Sequence, residues 1–188
     1  MKTLIKNGLV VDPANLVQTH LNLLLEDGKI VAVTEEEPEA DRVIDAAGKV
    51  VAPGFIDIHM HEDPVKDDKI QFCIFDAVLR MGVTTAVGGN CGINVYDPVK
   101  YLDLLERDGA PVNVMMFAGH QYYREAAGAL DKYSPVTEEQ RKTMKKGLEE
   151  ALEAGCVGIS YGLRYVPGTG REEFLDTASC CQKEHRLI

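Results

Sequence analysis

Two histidines at the end of an apolar run are the residues of this sequence most informative about chemistry. They lie in residues 55–61, Phe-Ile-Asp-Ile-His-Met-His. In a β-strand, alternate side chains face opposite sides, so His59 and His61 would share one face, while Ile56 and Ile58 would lie on an apolar face that suits packing beneath helices. Same-face neighbours are about 7 Å apart, close enough for two imidazoles to reach one cation. The spacing predicts metal ligation by both histidines; the alternative is a solvated pair at a strand end.

Cys91 is the next candidate, in the segment Gly-Gly-Asn-Cys-Gly at 88–92. Glycine on both sides keeps the backbone open and close to whatever lies there. A thiolate beside a cation becomes a ligand or a nucleophile, whereas a free cysteine elsewhere usually serves as a small buried apolar residue. Because Cys91 follows a strand whose end would share an edge with His59 and His61, we predict that it is a third metal ligand.

Three further side chains are candidate substrate-binding residues. His120 follows the third predicted strand and could hydrogen-bond a substrate or orient a ligand, and Arg124 could hold a substrate carboxylate through two parallel hydrogen bonds. Tyr165 lies in a loop rich in glycine and proline after the fourth strand, where a tyrosine can donate to a carbonyl oxygen. The alternatives are a satisfied loop histidine, a solvated arginine and an aromatic wall residue.

Strands and helices alternate after Pro53. Strands are predicted at 55–61, 83–88, 112–118 and 157–161, and residues 186–188 would begin a fifth. Gly82, Gly109 and Gly155 can each end a helix in the left-handed conformation. This alternation predicts a parallel sheet with helices outside it.

Local signals also mark where helices begin and which face they bury. Asp97 followed by proline and a capping box that begins at Thr137 predict two helix starts. Met144, Leu148 and Leu152 lie on one stripe of the second of these helices. Residues 171–184 are predicted to form a further helix.

The first 52 residues have a different pattern, in which short β-like runs alternate with turn residues. Residues 21–25 and 30–33 flank Asp27-Gly28, a strong type I′ hairpin signal. Residues 43–45 and 49–51 are predicted to form a second strand pair around Gly48. We therefore predict a small antiparallel β unit over residues 1–52 and a partial (β/α) barrel over 53–188.

Composition excludes several classes of protein. The chain has 188 residues, 45% of them hydrophobic, and a net charge of −10 at pH 7. The acidic balance argues against nucleic acid binding, and no apolar run approaches the roughly 18–20 residues of a membrane span. Five irregularly spaced cysteines and a start that lacks signal-peptide features favour a reduced, cytoplasmic protein.

Length limits how much of a barrel the chain can form. An eight-stranded barrel needs about 250 residues, so the chain holds the first half of one or forms an open sheet. A flavodoxin-like open sheet is disfavoured because no glycine-rich phosphate loop follows the first strand. A bare half-barrel would expose unpaired strand edges, so we expect association with a second copy or completion by another segment.

These residues resemble the amidohydrolase superfamily and, within it, the N-acyl-D-amino-acid deacylase (D-aminoacylase) branch. The His-x-His stretch at 59–61 marks the superfamily. Gly-Asn-Cys-Gly at 89–92 and Gly-Leu-x-Tyr-x-Pro-Gly at 162–168 are more specific to the branch. The resemblance spans nearly the whole chain, and the chain resembles only the amino-terminal part of the family's members.

The resemblance implies a (β/α)₈ barrel and a β-sandwich built from both chain ends. It also implies one or two zinc ions held by His59, His61 and Cys91, with Cys91 in place of the carboxylated lysine that bridges two metals in many relatives. The family's two further metal histidines and its catalytic aspartate fall on later strands, and His185 does not match them. Gln121 and Tyr161 depart from the family pattern, and these departures bear on the identity of the substrate and not on the metal.

The expected activity is zinc-dependent hydrolysis of a linear amide, with an N-acyl-D-amino acid as the small-molecule substrate. Metal assistance is needed because water is a poor nucleophile and an amine a poor leaving group. The alternatives are another amidohydrolase activity, on a cyclic amide or a dipeptide, and a non-catalytic relative or inactive fragment. The chain alone is expected to lack the later ligands.

Overall fold

The computed structural model describes residues 1–184, with side chains described for residues 1–182. The chain forms two compact units, Met1–Gly54 and the residues from Phe55 onward. The predicted fifth strand at 186–188 and His185 lie outside the described residues.

The first unit is a five-stranded β-sheet. Its strands are β1 (Lys2–Asp12), β2 (Val17–Glu26), β3 (Lys29–Thr34), β4 (Arg42–Asp45) and β5 (Val50–Val51). They follow the order β3-β2-β1-β4, and β5 also pairs with β1. The predicted hairpin is confirmed: Glu26 pairs with Lys29, and Asp27 and Gly28 both have positive φ, of 50° and 77°, as a type I′ turn requires.

The predicted pairing of the runs around Gly48 is wrong. Both β4 and β5 pair in parallel with β1, so the sheet is mixed. The reason lies in the turn between them. Ala46 N donates to Lys6 O and Leu9 N donates to Lys49 O, so the turn moves the chain along the edge of β1 instead of reversing it.

In the second unit, helices separate the four parallel strands, as predicted, and a short hairpin of two further strands, which was not predicted, follows the first of them. The elements of this unit are β6 (Phe55–Asp57), β7 (Val65–Lys66), β8 (Lys69–Ile70), α1 (Ile74–Arg80), β9 (Val83–Gly88), α2 (Pro98–Asp108), β10 (Asn113–Gly119), α3 (His120–Ala126), α4 (Glu138–Glu153), β11 (Gly158–Ser160) and α5 (Arg171–Glu184). A 3₁₀ turn covers Asn90–Gly92. The order β11-β10-β9-β6 forms a parallel sheet, which confirms the predicted half-barrel.

The sequence signals correctly place the starts of α2 and α4 and the ends of α1, α2 and α4, whereas α3 covers residues that were expected to lie in a loop. Asp97 caps α2 by accepting from Lys100 N, and Thr137 and Gln140 form a reciprocal capping box on α4. Gly82, Gly109 and Gly155, which follow α1, α2 and α4, all have positive φ. These caps fix the ends of the helices and so the positions of the loops that connect them to the sheet.

The buried stripe of α4 packs on the sheet. Met144, Leu148 and Leu152 have no exposed surface. Leu148 and Leu152 belong to one apolar cluster with Met116 of β10 and Ile159 of β11. Burial of a leucine side chain contributes about 1.5–3 kcal/mol, so this stripe holds α4 against the sheet.

The strand that carries the histidines is shorter than predicted. β6 ends at Asp57, although Met60 N still donates to Val87 O at 3.3 Å. The prediction that Ile56 and Ile58 pack beneath helices is wrong, since they are 64% and 71% exposed. No described element covers them, because β6 is an outer strand of the sheet as described.

Within residues 1–184, none of the helices combines the length and apolarity needed to cross a membrane.

Candidate functional site

The carboxyl ends of the parallel strands bring the candidate residues to one edge of the sheet. His59 and His61 follow β6, Cys91 follows β9, and His120 follows β10. In parallel sheets with crossover helices, this edge is where binding sites form.

His59 and Cys91 are in direct contact. Nε2 of His59 lies 3.3 Å from Sγ of Cys91. A nitrogen and a sulfur bound to one tetrahedral zinc would lie about 3.5 Å apart, given bond lengths of about 2.0 and 2.3 Å. The separation of these two donors therefore fits a shared zinc ion.

His61 lies further from a shared centre. Its ring centroid is 6.5 Å from that of His59. Two imidazoles on one tetrahedral zinc would have centroids about 5 Å apart. Accordingly, no group of three or more His, Cys, Asp or Glu side chains within residues 1–182 is arranged to hold a metal. His61 is exposed. The pair of donors from His59 and Cys91 fits zinc in type and separation, and the assignment of His61 as a third ligand stays a prediction.

The loop that carries Cys91 has an unusual backbone conformation. Cys91 has a φ of 60°, between Gly89 at 72° and Gly92 at 76°. A left-handed conformation costs a residue with a side chain about 1–2 kcal/mol, so other contacts must hold it.

Glycines allow neighbouring strand ends to close around this loop. A Cβ on Gly119 would lie 2.6 Å from Gly92 O, and one on Gly92 would lie 2.9 Å from Gly162 N. Contacts this short are excluded for real side chains, so the loop packs backbone to backbone against the ends of β10 and β11. This close packing explains part of the glycine-rich motifs.

Two polar residues that sequence reasoning did not assign also fix the loop. Nδ2 of Asn90 donates to the carbonyls of Ile58, Met60 and Val87, so it ties the loop to the backbone on both sides of His59. Ser160 Oγ donates to Gly89 O and accepts from Gly92 N. The position of Asn90 beside Cys91 was the available sequence signal; Ser160 gave none, because it lies about 70 residues away.

Glu62 and Asn94 form a second unassigned group beneath the loop. Glu62 is 2% exposed, and its carboxylate accepts from Gly89 N at 2.8 Å and from Val95 N at 3.1 Å. Asn94 Nδ2 donates to the same carboxylate and to Phe117 O. Adjacency to His61 was the signal that could have identified Glu62.

His120 and Arg124, the predicted substrate-binding residues of α3, are buried. Arg124 Nη1 donates to both carboxylate oxygens of Glu173, at 2.7 and 2.8 Å, and His120 Nε2 donates to Oε1 at 2.9 Å. Arg124 Nη2 also donates to the carbonyls of Asp131 and Ser134. Contact with a substrate would require Glu173 to move, and the substrate roles of His120 and Arg124 stay predictions.

Glu173 remains ionised in this buried setting. Burial alone would raise the pKa of Glu173, but hydrogen bonds from His120 and Arg124 and the charge of Arg124 outweigh it and hold the pKa below its ordinary value. His120 Nδ1 and Arg124 Nε have no hydrogen-bond partner among the described atoms. The three side chains thus form a charged lock between α3 and α5.

The tyrosines of the rim loop have different surroundings. Tyr165 is 50% exposed, and its substrate role stays a prediction. Tyr161 packs between the rings of His120 and Phe174, and its hydroxyl contacts Thr177. Burial raises the pKa of Tyr161 well above its ordinary value.

Comparison with known proteins gives consistent matches. The profile of the amidohydrolase family matches residues 42–166. The N-acyl-D-glutamate deacylase of Alcaligenes xylosoxydans xylosoxydans is 32% identical, over 90% of this chain and 38% of the relative. The D-aminoacylase of the same organism is 31% identical, over 87% of this chain and 38% of the relative.

A solved structure matches the fold over nearly the whole chain. The N-acyl-D-glutamate deacylase from Bordetella bronchiseptica, crystallised with zinc and a phosphonate mimic of the tetrahedral intermediate, superposes with a TM-score of 0.83 and 30% identity. The match covers 98% of this chain and 44% of that one. The chain thus spans less than half the length of the relatives it matches.

Proposed function

The chain belongs to the amidohydrolase family, and on this premise we propose that it takes part in zinc-dependent hydrolysis of an N-acyl-D-amino acid. The observation that carries the proposal is the contact between His59 Nε2 and Cys91 Sγ at the carboxyl edge of the parallel sheet. Similarity to deacylases of N-acyl-D-amino acids supports the substrate class.

The proposed ligands are His59, His61 and Cys91. Imidazole nitrogen and thiolate sulfur are donors that zinc accepts, and their mixture selects against magnesium and calcium. When bound, zinc supplies an acidic water and polarises the scissile carbonyl, which compensates for the poor leaving group of an amide.

The chain's own residues would then position the ion and the substrate. Asn90 and Ser160 hold the Cys91 loop in place, so the thiolate need not reorganise when metal arrives. Tyr165, half-exposed at the rim, would donate to a substrate oxygen. Arg124 and His120 would act at the carboxylate end of the substrate if Glu173 is displaced.

Completion of the barrel is also proposed. Phe55 and Ile56 of the outer strand β6 are 67% and 64% exposed, and Ile58, just after the strand, is 71% exposed, which is a large apolar surface for a strand edge. We propose that a further polypeptide segment or a second copy of the chain covers it. Size measurement tests this: a compact monomer of 20.7 kDa would contradict it.

The cysteines support a proposed cytoplasmic location. There are five, an odd number without regular spacing, which suits a reducing compartment better than a disulfide framework.

Zinc analysis tests the proposed function. The unaltered chain should retain zinc after dialysis, and the double variant His59→Ala with Cys91→Ala should lose it. His20→Ala is the matched control, since His20 is an exposed histidine of the other unit. A folded chain without zinc, or zinc retained by the double variant, would contradict the proposal. In the completed protein, amine release from N-acetyl-D-glutamate but not from its L enantiomer tests the substrate class.

A further inference from the structure

Glu62 stands out because, among the residues whose side chains are described, its buried carboxylate has no hydrogen bond or ion pair with a cationic side chain. It is 2% exposed, and the partners of its carboxylate are all N–H groups. Burial of a carboxylate costs free energy unless its oxygens are hydrogen-bonded, so a buried glutamate needs donors held at the correct distance and direction.

The partners of Glu62 lie on both sides of Cys91. Oε2 accepts from Gly89 N at 2.8 Å, two residues before the cysteine. Oε1 accepts from Val95 N at 3.1 Å, four residues after it. One carboxylate therefore fixes both ends of the loop.

Asn94 connects Glu62 to the end of the next strand, β10. Asn94 Nδ2 donates to Glu62 Oε1 at 3.1 Å, and Asn94 Oδ1 accepts from Gly119 N at 2.7 Å. The ends of β6, β9 and β10 are thus joined by one hydrogen-bonded group.

The loop needs such restraint because of its conformation. Cys91 has a φ of 60°, which a residue with a side chain adopts at a cost. Without fixed ends, the loop would relax and carry Sγ away from His59 Nε2, which is 3.3 Å distant. Glu62 also follows His61 in the chain, so the same side chain anchors the backbone beside a second proposed ligand.

On the basis of the proposed function, we propose that Glu62 is a positioning residue that holds Cys91 in place for zinc. It acts through the amides of Gly89 and Val95 and does not touch the ion. Residues that orient metal ligands typically change metal affinity about 10- to 100-fold when altered.

Glu62→Gln is the informative variant. It keeps the shape of the side chain, but one oxygen becomes an N–H₂ group that faces an N–H donor. Asp63→Asn is the matched control. Asp63 is the adjacent buried carboxylate, and it accepts from the amides of Cys73, Ile74 and Phe75 at the start of α1, away from the Cys91 loop.

The experiment compares the chain and the two variants by three measurements, made well below their unfolding temperatures. Zinc affinity is measured in competition with a chromophoric chelator. The part of the thiolate-to-cobalt charge-transfer absorption that Cys91→Ala removes reports ligation by Cys91 after cobalt is added. Amide hydrogen exchange over residues 73–95 locates any loosening.

We expect Glu62→Gln to bind zinc about 10- to 100-fold more weakly, to lose cobalt–thiolate absorption and to exchange faster at Gly89 and Val95. Asp63→Asn should exchange faster at 73–75 and bind zinc as the unaltered chain does. Unchanged zinc affinity in Glu62→Gln, or equal weakening in both variants, would overturn the positioning role alone. Absence of cobalt–thiolate absorption from the unaltered chain would instead overturn the proposed function, and the positioning role with it.

Discussion

The buried lock between α3 and α5 offers a sharp test of how charge stabilises this unit. Glu173→Gln removes the negative charge that faces Arg124, whose side chain is 1% exposed. Gln keeps one oxygen acceptor, so the main change is an arginine left with an uncompensated buried charge. Breaking a buried pair in this way typically costs about 3–5 kcal/mol.

The neighbouring residue on the same helix supplies the control. Glu172 pairs with Arg141 at 2.9 Å, but its side chain is 85% exposed. Exposed pairs contribute about 0–1 kcal/mol, because water and salt screen them. Glu172→Gln should therefore change the free energy of unfolding little.

Urea unfolding followed by circular dichroism measures both effects. We expect a loss of about 3–5 kcal/mol for Glu173→Gln and under about 1 kcal/mol for Glu172→Gln. A double-mutant cycle with Arg124→Met should give a coupling energy well above that of distant sites. Equal effects of the two glutamate variants, or no coupling with Arg124, would refute the lock.

Three other outcomes follow from the same contacts. Leu148→Ala should lower the free energy of unfolding by about 2–5 kcal/mol, because the side chain is fully buried in the cluster with Met116; urea unfolding checks this. Gly119→Ala should destabilise the fold by about 1–3 kcal/mol and weaken zinc binding, since its Cβ would lie 2.6 Å from Gly92 O; unaltered affinity would contradict the close packing. Because the pKa of Glu173 is lowered in the folded state, its contribution to stability is complete above the ordinary glutamate pKa and is lost as the pH falls through the pKa of the folded state. Between pH 6 and pH 3, the free energy of unfolding should therefore fall less in Glu173→Gln than in the unaltered chain.

Local signals predicted the elements of this fold well. Three such signals are the capping box at Thr137, the proline after Asp97 and the turn at Asp27-Gly28. Each depends on interactions within a few residues, so it can be recognised from the local sequence. The second strand pair was mispredicted because β4 and β5 both pair with β1, about 40 residues earlier in the chain, and no local pattern indicates this pairing.

The candidate site likewise contains residues that local motifs indicate and contacts that depend on residues far away in the chain. Motif spacing and the positions of strand ends are local properties, and they predict His59, His61 and Cys91 as metal ligands. The structure places His59 and Cys91 in contact, and the ligand roles stay predictions. The surroundings of Arg124 depend on Glu173, 49 residues later, and those of Cys91 depend on Glu62, which bonds to residues 27 to 33 positions away. Such partners are set by packing, and composition around the motif does not reveal them.

In the proposed metal site, two imidazoles and one sulfur would hold a zinc ion where β6 and β9 end. X-ray absorption at the zinc edge, on the zinc-loaded chain, measures this directly. We expect one sulfur at about 2.3 Å with imidazole nitrogens at about 2.0 Å, and loss of the sulfur contribution in Cys91→Ala. A zinc environment without sulfur, or one whose sulfur persists in Cys91→Ala, would contradict the account.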